Sequence, residues 1–149
     1  MSISTITLSD VTLEDLLPHR GGMLLVKEVL EVDSKTARTL FCVETAWPMA
    51  DDQGVHPLIL VELAAQTAGV CNGWDRIQTK GQDSNKMGWL VAIKRADFFL
   101  DSLPFGGIIM ARAENTYSFE NLREVSCELH MNNQLIAKAT LLLYQENQP

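Results

Sequence analysis

The sequence predicts an α+β protein in which a curved antiparallel sheet of five to six strands wraps around one long central helix. Residues 55–73, VHPLILVELAAQTAGVCNG, are apolar on nearly every face and carry a single acid, Glu62. A helix with that pattern is buried, because an exposed one keeps a polar face. On both sides lie segments with the two-residue alternation of antiparallel strands, divided by hairpin-type breaks. With one long helix and one sheet, curling the sheet around the helix buries both. A length of 149 residues, 46% of them hydrophobic and 21% charged, fits a single domain spanning residues 1–149.

Taken in order, residues 9–17 (SDVTLEDLL) offer Ser9 or Thr12 as N-cap and place acids in the first turn. They predict a short helix that Pro18 stops. His19, Arg20 and a Gly-Gly pair form a turn. Residues 23–32 (MLLVKEVLEV) then read as a strand, Asp33-Ser34-Lys35 as its turn, and residues 36–45 as the antiparallel partner. Residues 47–54, WPMADDQG, form a loop by their Pro, Gly and Asp content. Pro57 suits the first turn of the long helix, where its missing N–H has no intrahelical partner. Beyond Gly73 the chain turns polar up to Lys86, so the helix is expected to fray near Thr79 into a mobile connection. Residues 87–99 predict a strand kinked at Lys94-Arg95, and residues 103–107 a turn. Three strands follow, 108–119, 122–131 and 134–144, separated by Glu120-Asn121 and Asn132-Asn133.

The net charge of −7 argues against a nucleic-acid partner, which needs an excess of Lys and Arg. An anionic protein partner would require a local basic patch, for which Arg76, Lys80, Lys86, Lys94 and Arg95 are the candidates. Cys42, Cys71 and Cys127 are odd in number and each sits in an apolar run, as suits reduced thiols in a reducing compartment. The first residues lack a signal peptide's basic and apolar regions, and no run of about 18 apolar residues occurs. The expectation is a cytoplasmic protein without a membrane span. His19, His56 and His130 are too scattered to predict a metal site.

Glu62 is the residue that asks for a purpose. A charge buried among aliphatic side chains costs several kcal/mol unless it is paired or neutralised.

Leu16-Leu17-Pro18-His19-Arg20 followed by Met23-Leu24-Leu25-Val26, and then Val61-Glu62-Leu63-Ala64-Ala65-Gln66, resembles the bacterial 3-hydroxyacyl-acyl-carrier-protein dehydratases of the hotdog fold. The helix ending Gln66-Thr67-Ala68-Gly69-Val70, with Gly73-Trp74 after it, is similar to the divergent dehydratase-like proteins of aryl-polyene clusters. The resemblance implies a 3-hydroxyacyl chain carried as a thioester on phosphopantetheine, of either acyl-carrier protein or coenzyme A, and no resident cofactor. It implies dehydration by a base that takes the C2 proton and an acid that protonates the departing C3 hydroxyl. The helix acid, here Glu62, acts in such enzymes with a histidine on a loop of the partner subunit. A backbone N–H at the helix start polarises the thioester carbonyl, which places Pro57 and Leu58 beside the substrate. Gln66, one turn beyond Glu62, would orient the carboxylate or bind the thioester region. The assembly implied is a homodimer or a heterodimer with another hotdog subunit, joined sheet edge to sheet edge.

The family histidine stands fourteen residues before the acid in a Gly-His-Phe-Pro-Gly loop, and the corresponding position here is Pro48. His56, six residues before Glu62, is the provisional catalytic partner, although six residues are about 1.7 turns and roughly 9 Å along a helix. His19 and Arg20 read as structural, fixing the first helix against the sheet, and His130 as part of a solvated strand face. The leading function is therefore a 3-hydroxyacyl-acyl-carrier-protein dehydratase-like protein. A non-catalytic subunit partnering an active dehydratase and an acyl-thioester hydrolase are the alternatives.

Overall fold

The computed structural model of the chain describes residues 7–82, 84 and 88–145. Six strands form one antiparallel sheet: β1 (Glu28–Val32), β2 (Thr36–Cys42), β3 (Gly88–Phe98), β4 (Ile108–Phe119), β5 (Leu122–Met131) and β6 (Gln134–Gln145). Their order across the sheet is β1-β2-β4-β5-β6-β3. The short helix α1 (Leu13–Leu16) precedes β1, and the long helix α2 (Ile59–Lys80) connects β2 to β3, strands at nearly opposite ends of the order.

The alternation along β4, β5 and β6 turns Ala111, Ala113, Cys127 and Ala139 inward. These small side chains leave room for α2 to approach closely: Cys127 Sγ lies 3.7 Å from the Ala64 carbonyl oxygen. Bulk is supplied from the helix by Leu60 and Leu63 and from the sheet by Phe41, all fully buried. Thr39 and Thr67 hydroxyls share a hydrogen bond of 2.8 Å, and Thr67 also donates to the Leu63 carbonyl.

The wrapped-helix architecture expected from the sequence holds, with differences at element ends. The first helix is shorter than residues 9–17: Thr12 caps it, accepting from the Asp15 N–H while the Asp15 carboxylate accepts from the Thr12 N–H, and residues 8–10 form a separate 3₁₀ turn. The first strand does not start at residue 23, because Gly21–Met23 is a 3₁₀ turn and the Leu25 and Val26 N–H groups donate to the Gln66 side chain. The long helix starts at Ile59, four residues late, since Val55 exchanges both backbone hydrogen bonds with Leu103. It ends at Lys80, stopped by Gly81 at a φ of +91°. The polar stretch from Gly73, expected to leave the helix near Thr79, is helical up to Lys80, and residues 83 and 85–87 lie outside the described residues, as do residues 1–6 and 146–149. The kink expected in β3 is present as register shifts between Leu90 and Ala92 and between Ile93 and Arg95.

No helix among the described residues is long and apolar enough to cross a membrane. All three cysteines are free thiols. Cys71 and Cys127 are 1% exposed, and burial pushes both thiols up to about 12. With Cys42 only partly buried, native protein treated with an alkylating reagent at mildly alkaline pH should be labelled at Cys42 alone. Peptide mass spectrometry checks this; labelling of Cys71 or Cys127 without denaturant would contradict the burial.

Candidate active site

One face of α2 organises the site. Glu62, Gln66, Gly69, Gly73 and Arg76 recur at three- and four-residue spacing and share that face. Residues 15–19 run along it in the opposite direction. At the far end the Arg76 guanidinium, 3% exposed, donates to the Asp15 carbonyl at 2.7 Å and to Ser84. At Gly73 a side chain is excluded: a Cβ there would stand 2.2 Å from the Leu16 carbonyl oxygen. At Gly69 a Cβ would stand 2.7 Å from Leu17 Cδ2. The close approach these glycines permit carries His19 to the first turn of the helix, with Nε2 3.2 Å from Glu62 Oε1.

Glu62 is not the fully buried acid its neighbours in sequence suggest; its side chain keeps 31% of its exposure because it faces a cleft. Burial alone would raise its pKa. Hydrogen bonds from His19 and Gln66, together with the charge His19 carries when protonated, outweigh that and hold the carboxyl below its ordinary 4.5. Gln66 donates Nε2–H to Glu62 Oε1 at 2.9 Å. Its own carbonyl accepts from the Leu25 and Val26 N–H groups at 3.0 and 3.4 Å, and Nε2 also donates to the Met23 carbonyl at 2.7 Å.

The cleft has a volume of about 170 Å³. His19 and Glu62 line it together with the apolar Ala65, Gly69, Leu90 and Leu143, and Asn72 and Arg76 also reach it. Apolar walls beside a carboxylate suit a ligand that has both an aliphatic and a polar part.

His56 lies elsewhere. It is exposed, its Nδ1 accepts from the Leu58 N–H at 3.1 Å, and it is not among the residues lining the cleft. Pro57 and Leu58 sit in the turn that enters α2, with Leu58 49% exposed. Pro57 has no N–H and that of Leu58 is occupied by His56, so neither offers the free donor expected at the helix start. His19, expected to fix the first helix against the sheet, instead reaches Glu62, while Arg20 does act on the first helix. The Arg20 guanidinium donates to the carbonyls of Glu14, Leu17 and His19 and so closes off α1. His130 lies on β5, half-buried, in register with Met110 and Leu135.

The expected basic patch is largely neutralised. Arg76 is buried, Lys94 pairs with Glu124, and Arg95 pairs with Asp97, while Lys86 is outside the described residues. Among the described residues no group of three or more His, Cys, Asp and Glu side chains could hold a metal ion.

A curved antiparallel sheet around one long helix defines a protein of the hotdog class. The chain belongs to the ApeP-like family, whose model, described as ApeP dehydratase, matches residues 11–149. Among solved structures it is similar to a chain of the dehydratase heterocomplex ApeI:P from Xenorhabdus doucetiae, with 20% identity, 93% of each chain covered and a TM-score of 0.82. It is also similar to the E. coli PaaI protein of the phenylacetic acid degradation operon, with 15% identity, 79% and 82% covered and a TM-score of 0.60. A third is a hypothetical thioesterase from Streptococcus pneumoniae TIGR4, solved with coenzyme A, with 11% identity, 81% and 86% covered and a TM-score of 0.62. At these identities the structures speak for the fold. A search of curated proteins gives no significant match.

Proposed function

We propose that the chain supplies Glu62 as the acid–base group of a dehydratase for 3-hydroxyacyl thioesters, working beside a second hotdog subunit. The observation that carries this is the Glu62 carboxylate, met by two donors in a mainly apolar cleft. Elimination breaks the C2–H and C3–O bonds, forms the C2–C3 double bond, and releases the hydroxyl with a proton as water. One group must take a proton and another must give one.

The second group is the loop histidine of the partner subunit. This chain's own loop, residues 47–54, has none, and the ApeP-type neighbour was solved as a heterocomplex. The surface for such a partner is β3, at one end of the sheet, where Trp89, Leu90, Val91, Ile93 and Phe98 are exposed. An edge with that much apolar surface is covered by pairing with another sheet. With Arg76 buried and Lys94 and Arg95 engaged by acids, docking of an acidic carrier falls mainly to the partner's surface. The acyl chain arrives on its phosphopantetheine, so the chemistry calls for no resident cofactor, and carrier-borne substrates place the protein in the cytoplasm.

The test is to co-express the chain with its hotdog partner and supply 3-hydroxyacyl and 2-enoyl thioesters separately. Both should reach the same mixture with no free thiol released. Release of thiol would make the protein a hydrolase, and no interconversion by the complex would sink the dehydratase reading.

A further inference from the structure

We propose that His19 is a positioning residue that restricts Glu62 to exchanging protons through one oxygen, Oε2. This rests on the reading of Glu62 as the acid–base group and adds which atom does the work and what fixes it.

Both donors that reach the carboxylate arrive at the same oxygen. Gln66 Nε2 is 2.9 Å and His19 Nε2 is 3.2 Å from Oε1. Gln66 cannot reverse. Its carbonyl holds two backbone N–H groups and its other amide hydrogen holds the Met23 carbonyl, so a flipped amide would turn NH₂ toward two donors and oxygen toward two acceptors. Gln66 is thus always a donor to Glu62.

His19 is constrained in a different way. Its Nδ1 is buried and finds no partner among the described residues. A ring proton placed there would be buried without an acceptor, so a single ring proton resides on Nε2 and points at Oε1. A carboxyl proton on Oε1 would then confront two donor hydrogens, whereas on Oε2 it confronts neither. Whether Glu62 takes the C2 proton or returns one to the C3 hydroxyl, the proton sits on Oε2. The two donors also keep the ionised form favoured. The other titratable groups lining the cleft are Arg76 on α2 and Tyr144 on β6; β3 presents only Gly88, Trp89 and Leu90.

The test uses the co-expressed complex with His19→Ala and, as the variant that keeps a donor, His19→Gln. The Glu62 side-chain carboxyl, labelled with ¹³C and titrated by NMR, should titrate at higher pH in His19→Ala than in the wild type. Its value should return toward the wild type in His19→Gln. The acid limb of the kcat/KM profile should move the same way, with a loss of roughly tenfold to a hundredfold, in keeping with one charge-assisted hydrogen bond. The ¹⁵N signals of His19 should show the proton on Nε2. An unchanged Glu62 titration in His19→Ala, or a ring proton found on Nδ1, overturns the assignment. If Glu62→Gln retains full activity, the catalytic reading fails and with it the claim that Oε2 carries the reaction's proton. The NMR readouts, which need no turnover, then show separately whether His19 positions the carboxylate.

Discussion

Glu62→Gln should lower dehydration by the complex about 10²- to 10⁴-fold, the range that a positioned acid–base group contributes. The amide is the same size as the carboxylate, and its carbonyl oxygen can occupy the Oε1 place, accepting from His19 and Gln66. Its NH₂ then lies where Oε2 was, and an amide nitrogen takes no proton. The fold should survive, because the hydrogen bonds around Gln66 remain. A small pH-dependent stability difference accompanies the loss. The folded carboxyl titrates below its ordinary 4.5, so its stabilising contribution is present above that value and disappears as the pH falls through the lowered folded one. Thermal melts of wild type and variant should therefore differ most near neutrality and converge in acid. Steady-state assays of both enoyl and 3-hydroxyacyl thioesters check the kinetic loss, and near-wild-type rates would remove Glu62 from the mechanism.

The second large effect is on stability. In Gly73→Ala the new methyl would stand 2.2 Å from the Leu16 carbonyl oxygen, 3.0 Å from its carbon and 3.2 Å from its Cα. All three are backbone atoms, so no rotamer change relieves the clash. Alanine's helix propensity returns about 1 kcal/mol. Against it stand the Arg76 bond to the Asp15 carbonyl, about 1.5–3 kcal/mol for a charged donor, and partial exposure of Leu16 and Leu17, each about 1.5–3 kcal/mol if fully lost. The net cost should be about 3 kcal/mol or more, roughly a 10 °C fall in Tm for a domain of this size. Gly69→Ala is the control. Its methyl meets only Leu17 Cδ2, at 2.7 Å, the end of a side chain that can rotate, and its net effect should stay within about 1 kcal/mol. Thermal unfolding of the two variants side by side decides the matter; equal losses would mean that the segment's backbone is not what Gly73 accommodates.

These two positions show where sequence reading stops. Glu62 is legible because a lone acid in an apolar helix is anomalous, and Gln66 because it stands one turn away on the same face. The hairpins of β4, β5 and β6 are legible in their breaks: Glu120, Asn132 and Asn133 all adopt positive φ, the conformation such turns require. His19 is another matter. It reaches Glu62 only because Gly69 and Gly73 let a distant segment lie against the helix, and nothing local to His19 announces that path. The Gly-xxx-Gly spacing was present as a signal, but in the sequence it reads simply as a weak patch of helix. The start of β1 misleads for a similar reason: residues 24–26 have strand composition, yet two of their amides bond to a side chain some forty residues away. Arg76 looks like surface charge and is buried because its guanidinium finds carbonyl oxygens that need a donor.

The order of the strands also bears on how the chain is made. β3 is fourth from last among the strands to be synthesised but pairs within the sheet only with β6, the last of them. At about 5–20 residues per second, a ribosome leaves a gap of roughly 2–7 seconds between finishing β3 and starting β6. Throughout that gap the apolar side chains of β3 have no neighbouring strand, and α2 lacks part of the sheet that encloses it. The sheet closes late, through contacts between distant parts of the chain. A hotdog partner of the kind proposed above would, by pairing along the free edge of β3, cover these side chains before β6 exists.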